Sequence, residues 1–310
     1  MPSDELVDAL PDETLERALT RPEFFQDVLD AVSDGVYMVD RQRSVLYWNH
    51  GAERLTGYTK QEALGRRCGE SLLQHCTADG ILLCSGACPL SETMEDLRPR
   101  SASLYVLHKD GHRLPVRIHA SPLLSAHRDC LGAVEMMRGT PVASSQTSRS
   151  SDLEHLRQYD ADTGVPVAGL TQARLRQAML RAQLEKLPLA VMVARIDDFA
   201  GLALRFGRNG ATQALRVAAQ TMVHCTRFED FVGRWKDDAF LLFAFVKRPS
   251  DAGVLSDRLR RLISLSVLRW WGEVLPLRAS LGYTLFDGEE SLANVAGRAE
   301  ELAGPQASES

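Results

Sequence analysis

The chain has 310 residues, and its 36 Lys and Arg against 41 Asp and Glu give a formal net charge of −5 at pH 7. That balance lacks the basic excess typical of nucleic-acid-binding proteins, and 45% hydrophobic with 25% charged residues is ordinary for globular domains. The longest apolar run, Ala239–Val246, is far shorter than the ~20 residues that cross a bilayer, and no secretory signal opens the sequence. We therefore expect a cytoplasmic protein with no membrane span, no nucleic-acid partner and mostly reduced cysteines.

Changes in composition divide the chain into five segments. An acidic stretch with leucines at near-helical spacing, residues 1–23, predicts an N-terminal helix or cap. Residues 24–139 have the mixed pattern of one domain, and the Ser- and Thr-rich residues that follow predict a linker with a short helix over 140–159. A second domain is predicted over 160–303, and the tail 304–310 is predicted to be loose.

The first domain is predicted to contain five strands, with short helices after the second. The segment Lys109–His112 is typical of a hairpin turn and is predicted to join the third strand to the fourth. The strands are predicted at Gly35–Val39, Val45–Trp48, Ala102–His108, Arg113–Ala120 and Cys130–Met137.

Residues 33–65 resemble the opening of a PAS domain. The resemblance rests on the segments Ser33-Asp34-Gly35, Trp48-Asn49, Glu53-Leu55-Thr56-Gly57-Tyr58 and Glu62-Leu64-Gly65. It extends over about 24–139 and implies a five-stranded antiparallel sheet with a helical cap, acting as a sensor and as a homodimer contact. Because fold does not fix ligand in such domains, the signal stays open.

Four cysteines fall between the predicted helices and the third strand. Cys68, Cys76, Cys84 and Cys88 have the spacing C-x7-C-x7-C-x3-C. Thiolates ligate zinc and iron–sulfur clusters, but this spacing matches neither a zinc ribbon nor a ferredoxin run. Three alternatives are open: a metal or iron–sulfur centre, a redox pair such as Cys84 with Cys88, or small apolar thiols that fill the cap. His75 is a further candidate ligand for a metal or haem.

The second domain alternates helices and strands. We expect helices on one face of a mostly antiparallel sheet, which makes the domain α+β. Thr171 is the predicted N-cap of the first helix. The helices are predicted at Leu175–Leu187, Ala211–Val223, Asp251–Leu265 and Ser291–Leu302, and the strands at Leu189–Ile196, Phe231–Trp235, Phe240–Val246 and Leu275–Leu285.

Four landmarks in order make residues 160–302 resemble a GGDEF domain, the family of diguanylate cyclases. The entry motif D-x-L-T-G-L-P-N corresponds to residues 160–167, and the strand motif D-x-D-x-F-K corresponds to 195–200. The hairpin motif R-[YW]-G-G-[DE]-E-F corresponds to 234–240, and S-[IL]-G corresponds to 280–282. The resemblance implies a nucleotidyl-cyclase-like fold.

The chain departs from that family at the positions the resemblance assigns to chemistry. In the family, two carboxylate side chains bind two Mg²⁺ ions. Here Arg195 stands at the position of the first carboxylate, and Asp238 stands at the position of the second. Ala239 replaces the carboxylate linked with catalysis, and Lys236 and Asp237 replace the two phosphate-facing glycines. We therefore expect no Mg²⁺ binding and no catalytic residues, and we expect Arg195 to contact Asp238 or Asp197.

An effector site is the remaining candidate in this domain. Arg227-Phe228-Glu229-Asp230 matches the R-x-x-D motif that in this family binds cyclic di-GMP, nine residues ahead of Lys236. Arginine can bind guanine edges and phosphate through two hydrogen bonds, and Arg258 could add a phosphate contact. The alternative is a surface pair in which Asp230 serves the fold alone.

The sequence thus predicts a PAS sensor coupled to a catalytically inactive GGDEF-like domain. Its output would be the binding of cyclic di-GMP or of a protein partner. A weakly active diguanylate cyclase, converting two GTP to cyclic di-GMP, is the alternative, because Asp197 with Asp238 could hold one metal ion.

Overall fold

The computed structural model describes residues 21–140 and 158–304 of the chain. Its first half contains a five-stranded antiparallel sheet. Across the sheet, the second strand of the chain is followed by the first, fifth, fourth and third. All five predicted strands are confirmed, some of them longer than expected. They are β1 Gly35–Asp40, β2 Val45–Trp48, β3 Arg100–Leu107, β4 Arg113–Leu124 and β5 Cys130–Gly139.

Short helices cover one face of this sheet and form the predicted cap. A buried cluster that includes Trp48, Leu72 and Ile118 fills the space between the sheet and these helices. A π-helical turn, Cys68–Leu72, lies among them. The helices are α1 Pro22–Ala31, α2 His50–Thr56, α3 Lys60–Ala63 and α4 Pro89–Asp96.

The buried side chain of Asn49 explains part of the PAS-like signature. Its Oδ1 accepts hydrogen bonds from the backbone N–H groups of Val36 (2.7 Å) and Ala52 (2.8 Å), so it caps helix α2. Its Nδ2 donates to the carbonyl oxygens of Leu29 (2.8 Å) and Asp34 (3.0 Å). One amide therefore joins the first strand, the second helix and the segment that leads into the sheet.

The second half contains a four-stranded antiparallel sheet with the order β11-β6-β8-β7 and a separate hairpin β9-β10. None of the helices in residues 21–140 and 158–304 has the length and hydrophobicity needed to span a bilayer. The strands are β6 Leu189–Ile196, β7 Phe231–Lys236, β8 Ala239–Phe245, β9 Val267–Trp270, β10 Glu273–Pro276 and β11 Ala279–Leu285. The helices are α5 Ala168–Glu185, α6 Phe199–Cys225, α7 Ser250–Ser264 and α8 Leu292–Leu302.

Helices cover both faces of this sheet, so the expectation of one covered face was wrong. Alternate residues of β6 enter two different cores: Met192 packs with α6 and α7, whereas Val191 packs with α5 and α8. The uninterrupted apolar run of β6 is the pattern expected of a strand buried on both sides. The fold class is nevertheless α+β, as predicted.

Three local predictions in this half were also wrong. Helix α6 begins at Phe199 rather than near 211, because a kink at Gly207 (φ 70°, ψ 177°) joins two helical pieces. Helix α5 begins after Val167, and the Thr171 hydroxyl donates back to the Val167 carbonyl (3.0 Å) instead of capping the helix. The last predicted strand is divided near Pro276, which ends β10.

Some predictions lie outside the described residues. Of the N-terminal segment 1–23, only residues 21–23 are described. Most of the linker and short helix predicted over 140–159, and residues 305–310 of the tail, are also outside the described ranges. These boundaries stay predictions.

The two halves pack against each other around Arg113, the first residue of β4. This side chain is 1% exposed. Its Nε and Nη2 donate to the carbonyl oxygen of Leu265 at the end of α7 (3.0 and 2.7 Å), and its Nη1 donates to that of Gln74 (2.6 Å). Carbonyls at a helix C-terminus carry partial negative charge, so they stabilise the buried guanidinium without a carboxylate.

The hairpin turn next to Arg113 makes a direct backbone contact between the halves. The Val267 N–H donates to the Gly111 carbonyl at 2.9 Å. Gly111 has φ +97°, and a Cβ atom at this position would lie 1.9 Å from the Val267 carbonyl oxygen. Only glycine allows this contact, since any side chain would collide with the backbone of β9.

We expect Arg113→Met to lower the free energy of unfolding by about 2–4 kcal/mol, because it leaves two buried carbonyl oxygens without their charged donor. Denaturant unfolding of the full chain measures this loss, and hydrogen exchange should show faster exchange at the end of α7. Arg117→Met, at an exposed position of the same strand, is the matched control. Equal losses for the two variants would contradict the role given to Arg113.

Candidate functional site

The predicted chemical positions meet at one edge of the second sheet. Arg195, near the end of β6, pairs with Ala239 on β8 on one side and with Ser280 on β11 on the other. The turn between β7 and β8 is tied to β6 because the Ile196 N–H donates to the Asp238 carbonyl at 2.9 Å. Strand pairing alone therefore brings the D-x-D-like and hairpin motifs together.

Charged side chains form an ion-pair cluster at this edge. Arg195 Nε lies 3.4 Å from Asp238 Oδ2, which confirms the predicted contact, and Arg195 Nη2 donates to Glu300 Oε1 at 2.9 Å. Lys236 Nζ also donates to Glu300 Oε1, and Trp235 Nε1 donates to Oε2 at 3.3 Å. Burial opposes ionisation of Glu300, but the hydrogen bonds from Lys236 and Trp235 and the nearby positive charges hold its pKa below the usual range.

Sequence reasoning missed Glu300, the centre of this cluster. Helix α8 starts at the N-cap Ser291 and buries Val295, Ala296 and Ala299 against the sheet. Glu300 is one turn after Ala296, so it lies at the border of the buried face. A carboxylate there, at the end of an otherwise apolar stripe, was the available signal.

The residues present do not match the family's pair of Mg²⁺ sites. The cation Arg195 contacts Asp238, and Asp197 accepts a hydrogen bond from the Ser280 hydroxyl at 2.8 Å. Ala239 is fully buried and has no ligand atom. Two carboxylates remain as oxygen donors, and one of them is already neutralised by a guanidinium.

The predicted effector residues lie together before β7. Asp230 Oδ2 accepts the Arg227 backbone N–H at 2.8 Å, while the Arg227 side chain is exposed. Burial raises the pKa of the Asp230 carboxyl, although the charges of Arg227 and Arg258 oppose that rise. Arg258 Nη2 donates to the Cys225 carbonyl at 3.0 Å, and its Nε is buried without a hydrogen-bond partner among the described atoms.

The structure distributes the cysteines over two cores. Cys76 packs in the core of the second half, whereas Cys68 and Cys88 belong to the core of the first half. Cys84 is half-buried, and among residues 21–140 and 158–304 no three of these sulfurs lie within 4.8 Å of one another. The metal or iron–sulfur centre and the redox pair stay predictions.

Beside these thiols lies a buried ion pair that the sequence did not predict. His75 Nε2 lies 3.2 Å from Glu135 Oε1, and both side chains are buried. The two atoms form an ion pair, but they are not aligned for a hydrogen bond. The Tyr37 hydroxyl donates to the same Glu135 oxygen at 2.9 Å. Burial alone would lower the pKa of His75, but the Glu135 carboxylate and a hydrogen bond with Cys84 raise it to about 10.

A cavity of about 310 Å³ opens in the helical cap, and one of its lining residues, Cys84, also interacts with His75. Arg43 and Arg67 line it together with Glu70 and Cys84. The Arg43 guanidinium donates to the Cys84 carbonyl at 2.9 Å. The cavity is a candidate place for a sensed ligand, and its two arginines give it a polar wall.

Comparison with protein families places two domains on the chain. A family model described as PAS domain matches residues 33–138, and one described as diguanylate cyclase, GGDEF domain, matches residues 157–304. The two matches follow each other in the order that the sequence motifs predicted.

Individual relatives cover different parts of the chain. Diguanylate cyclase DgcP of Pseudomonas aeruginosa is 29% identical over 154 residues, 49% of this chain and 23% of that protein. Probable diguanylate cyclase DgcE of Escherichia coli is 22% identical over 263 residues, 84% of this chain and 23% of that protein. The chain therefore spans less than a quarter of the length of these curated relatives.

A solved structure of the diguanylate cyclase SiaD of Pseudomonas aeruginosa, in complex with its activator SiaC, is 26% identical with a TM-score of 0.46. The match covers 49% of this chain and 58% of that one.

The buried pair predicts how stability depends on pH. The pKa of His75 is about 10 in the folded protein and 6.5 when unperturbed. The contribution of protonated His75 to the free energy of unfolding is therefore complete below pH 6.5, and it is lost as the pH rises towards 10. We expect the free energy of unfolding of the wild type to fall over this range relative to the double variant His75→Gln/Glu135→Gln. Denaturant unfolding at several pH values measures the difference.

The exposed His50→Gln variant serves as the control, and its free energy of unfolding should follow that of the wild type. A double variant whose pH profile runs parallel to the wild type between pH 6.5 and 10 would contradict the charged state of His75.

Proposed function

The chain is a PAS domain followed by a GGDEF domain, and from this architecture we propose a cytoplasmic signalling protein whose GGDEF half acts by binding rather than by turnover of GTP. The ion-pair cluster of Arg195, Asp238, Lys236 and Glu300 carries this proposal. Two cations and their carboxylate partners lie where, by the family resemblance, metal-bound triphosphate would react. A neutralised cluster without a free carboxylate pair does not supply the metal ligands or the base that such chemistry needs.

Cyclic di-GMP is the ligand we propose for the binding function. The exposed Arg227 side chain can reach a guanine edge or a phosphate, and Asp230 lies beside it. The buried Nε donor of Arg258 is without a partner among the described atoms, and a ligand phosphate would satisfy it. These three residues come from the segment before β7 and from α7, so a bound ligand would contact both.

A protein partner is the second candidate ligand of this half. Leu180 and Leu184 are exposed one turn apart near the end of α5, and Leu187, which follows the end of the helix, is also exposed. A partner helix could cover this apolar strip. A PAS-mediated homodimer is a further proposal, which light scattering of the full chain would test.

Weak diguanylate cyclase activity is the alternative function. It is favoured by the match to the diguanylate cyclase family and by two retained carboxylates, Asp197 and Asp238, at the same sheet edge. Incubation of the full chain with GTP and Mg²⁺ or Mn²⁺ tests it. Product that Asp238→Asn abolishes would overturn the binding-only proposal, whereas no product in either protein supports it.

We expect calorimetric titration with cyclic di-GMP to give a micromolar or lower Kd, about −8 kcal/mol or better. Arg227→Ala should abolish the binding heat, because it removes the only exposed guanidinium of the R-x-x-D segment. The matched control is Arg176→Ala, an exposed arginine on α5, which should bind like the wild type. Absence of heat with the wild type, or equal binding by Arg227→Ala, would contradict the proposed ligand.

A further inference from the structure

Three histidine rings stack where the β3–β4 hairpin meets helix α6. The ring centroids of His108 and His112 are 4.3 Å apart with 22° between the planes, and those of His112 and His224 are 4.9 Å apart with 9°. The first two rings belong to the PAS half, and the third belongs to the GGDEF half. The stack therefore lies at the boundary between the domains, close to Arg113.

A carboxylate completes the group on the hairpin. The candidate ligand atoms of His108, Asp110 and His112 all lie within 4.8 Å of one another, the one such group found in residues 21–140 and 158–304. Asp110 Oδ2 is 3.6 Å from His108 Nδ1. We propose that these three side chains bind a divalent transition-metal ion, Zn²⁺ being the expected one, at the boundary between the two domains.

The donor set suits this class of ion. Two imidazole nitrogens and one carboxylate oxygen are common zinc ligands at about 2.0–2.2 Å, and they leave one position for water. Tetrahedral ligands at such distances are about 3.4 Å apart, so ligand atoms up to 4.8 Å apart must close by up to about 1.4 Å. Asp110 is 67% exposed and can rotate to do so.

The surroundings orient the His108 ring. Its Cε1 and Nε2 atoms fit against Gly57, where a Cβ would lie 2.7 Å from both, so Nδ1 is directed towards Asp110. His108 Nδ1 accepts the Asp110 backbone N–H at 3.1 Å. Binding of the ion would exchange that hydrogen bond for a nitrogen–metal bond.

Burial holds the two histidine rings in place. His112 is buried and His108 is partly buried, whereas Asp110 is exposed. His224 Nδ1 lies 2.7 Å from the Gln220 carbonyl, and its ring covers His112 from the GGDEF side. An ion held by the hairpin would thus fix the PAS surface on which α6 rests.

The test is a calorimetric titration of the full chain with Zn²⁺, followed by Co²⁺ substitution and absorption spectroscopy. We expect one ion per chain, a Co²⁺ spectrum of nitrogen and oxygen ligands, and binding at least about tenfold weaker in Asp110→Asn and His112→Ala. The control His127→Ala, an exposed histidine in the β4–β5 turn, should bind like the wild type.

Three results would overturn the site: no stoichiometric Zn²⁺ binding, unchanged affinity in Asp110→Asn, or a thiolate charge-transfer band with Co²⁺, which would assign the ion to the cysteines. Asp110→Asn decides the matter if His112→Ala fails to fold, because Asp110 is exposed and the substitution keeps its size.

Discussion

The arrangement of the two domains depends on a buried positive charge that, in residues 21–140 and 158–304, is paired with backbone carbonyls rather than with a carboxylate. Arg113 is satisfied by the carbonyls of Gln74 and Leu265, which belong to different domains. Burying a guanidinium is costly unless every donor finds an acceptor, so the interface has to keep both carbonyls in place. Cys76 and Tyr105 of the PAS half pack around this point into the core of the GGDEF half. The PAS and GGDEF halves therefore share part of one hydrophobic core.

Buried charge is balanced in a different way in the ion-pair cluster at the end of β6. There the cations Arg195 and Lys236 find carboxylates, and Glu300 from the last helix receives both. Because these groups are only partly buried, each ion pair in the cluster contributes less to the free energy of folding than a buried ion pair does. Its effect is chiefly positional: it links the end of β6, the β7–β8 turn and α8.

Much of the fold was predictable because periodicity and turn chemistry are local. The five PAS strands, the run of β6 and the Ser291 cap of α8 follow from such patterns. Contacts between segments that are distant in the sequence were harder to predict. Arg195 with Asp238 could be predicted, since family motifs fixed both positions. Glu300 was harder to predict, because its place at the end of the apolar stripe of α8 does not indicate its partner Lys236, which is 64 residues away in the sequence. The histidine stack was missed for the same reason, as His224 meets His112 only once the domains dock.

The contact between Gly111 and β9 has a consequence for how such a chain can vary. The turn of one domain touches the backbone of the other so closely that no side chain fits between them. A replacement of either domain by a related one would have to bring a matching turn or a matching strand. A chimaera that replaced one domain would therefore need a glycine, or an equally narrow turn, where the hairpin faces β9.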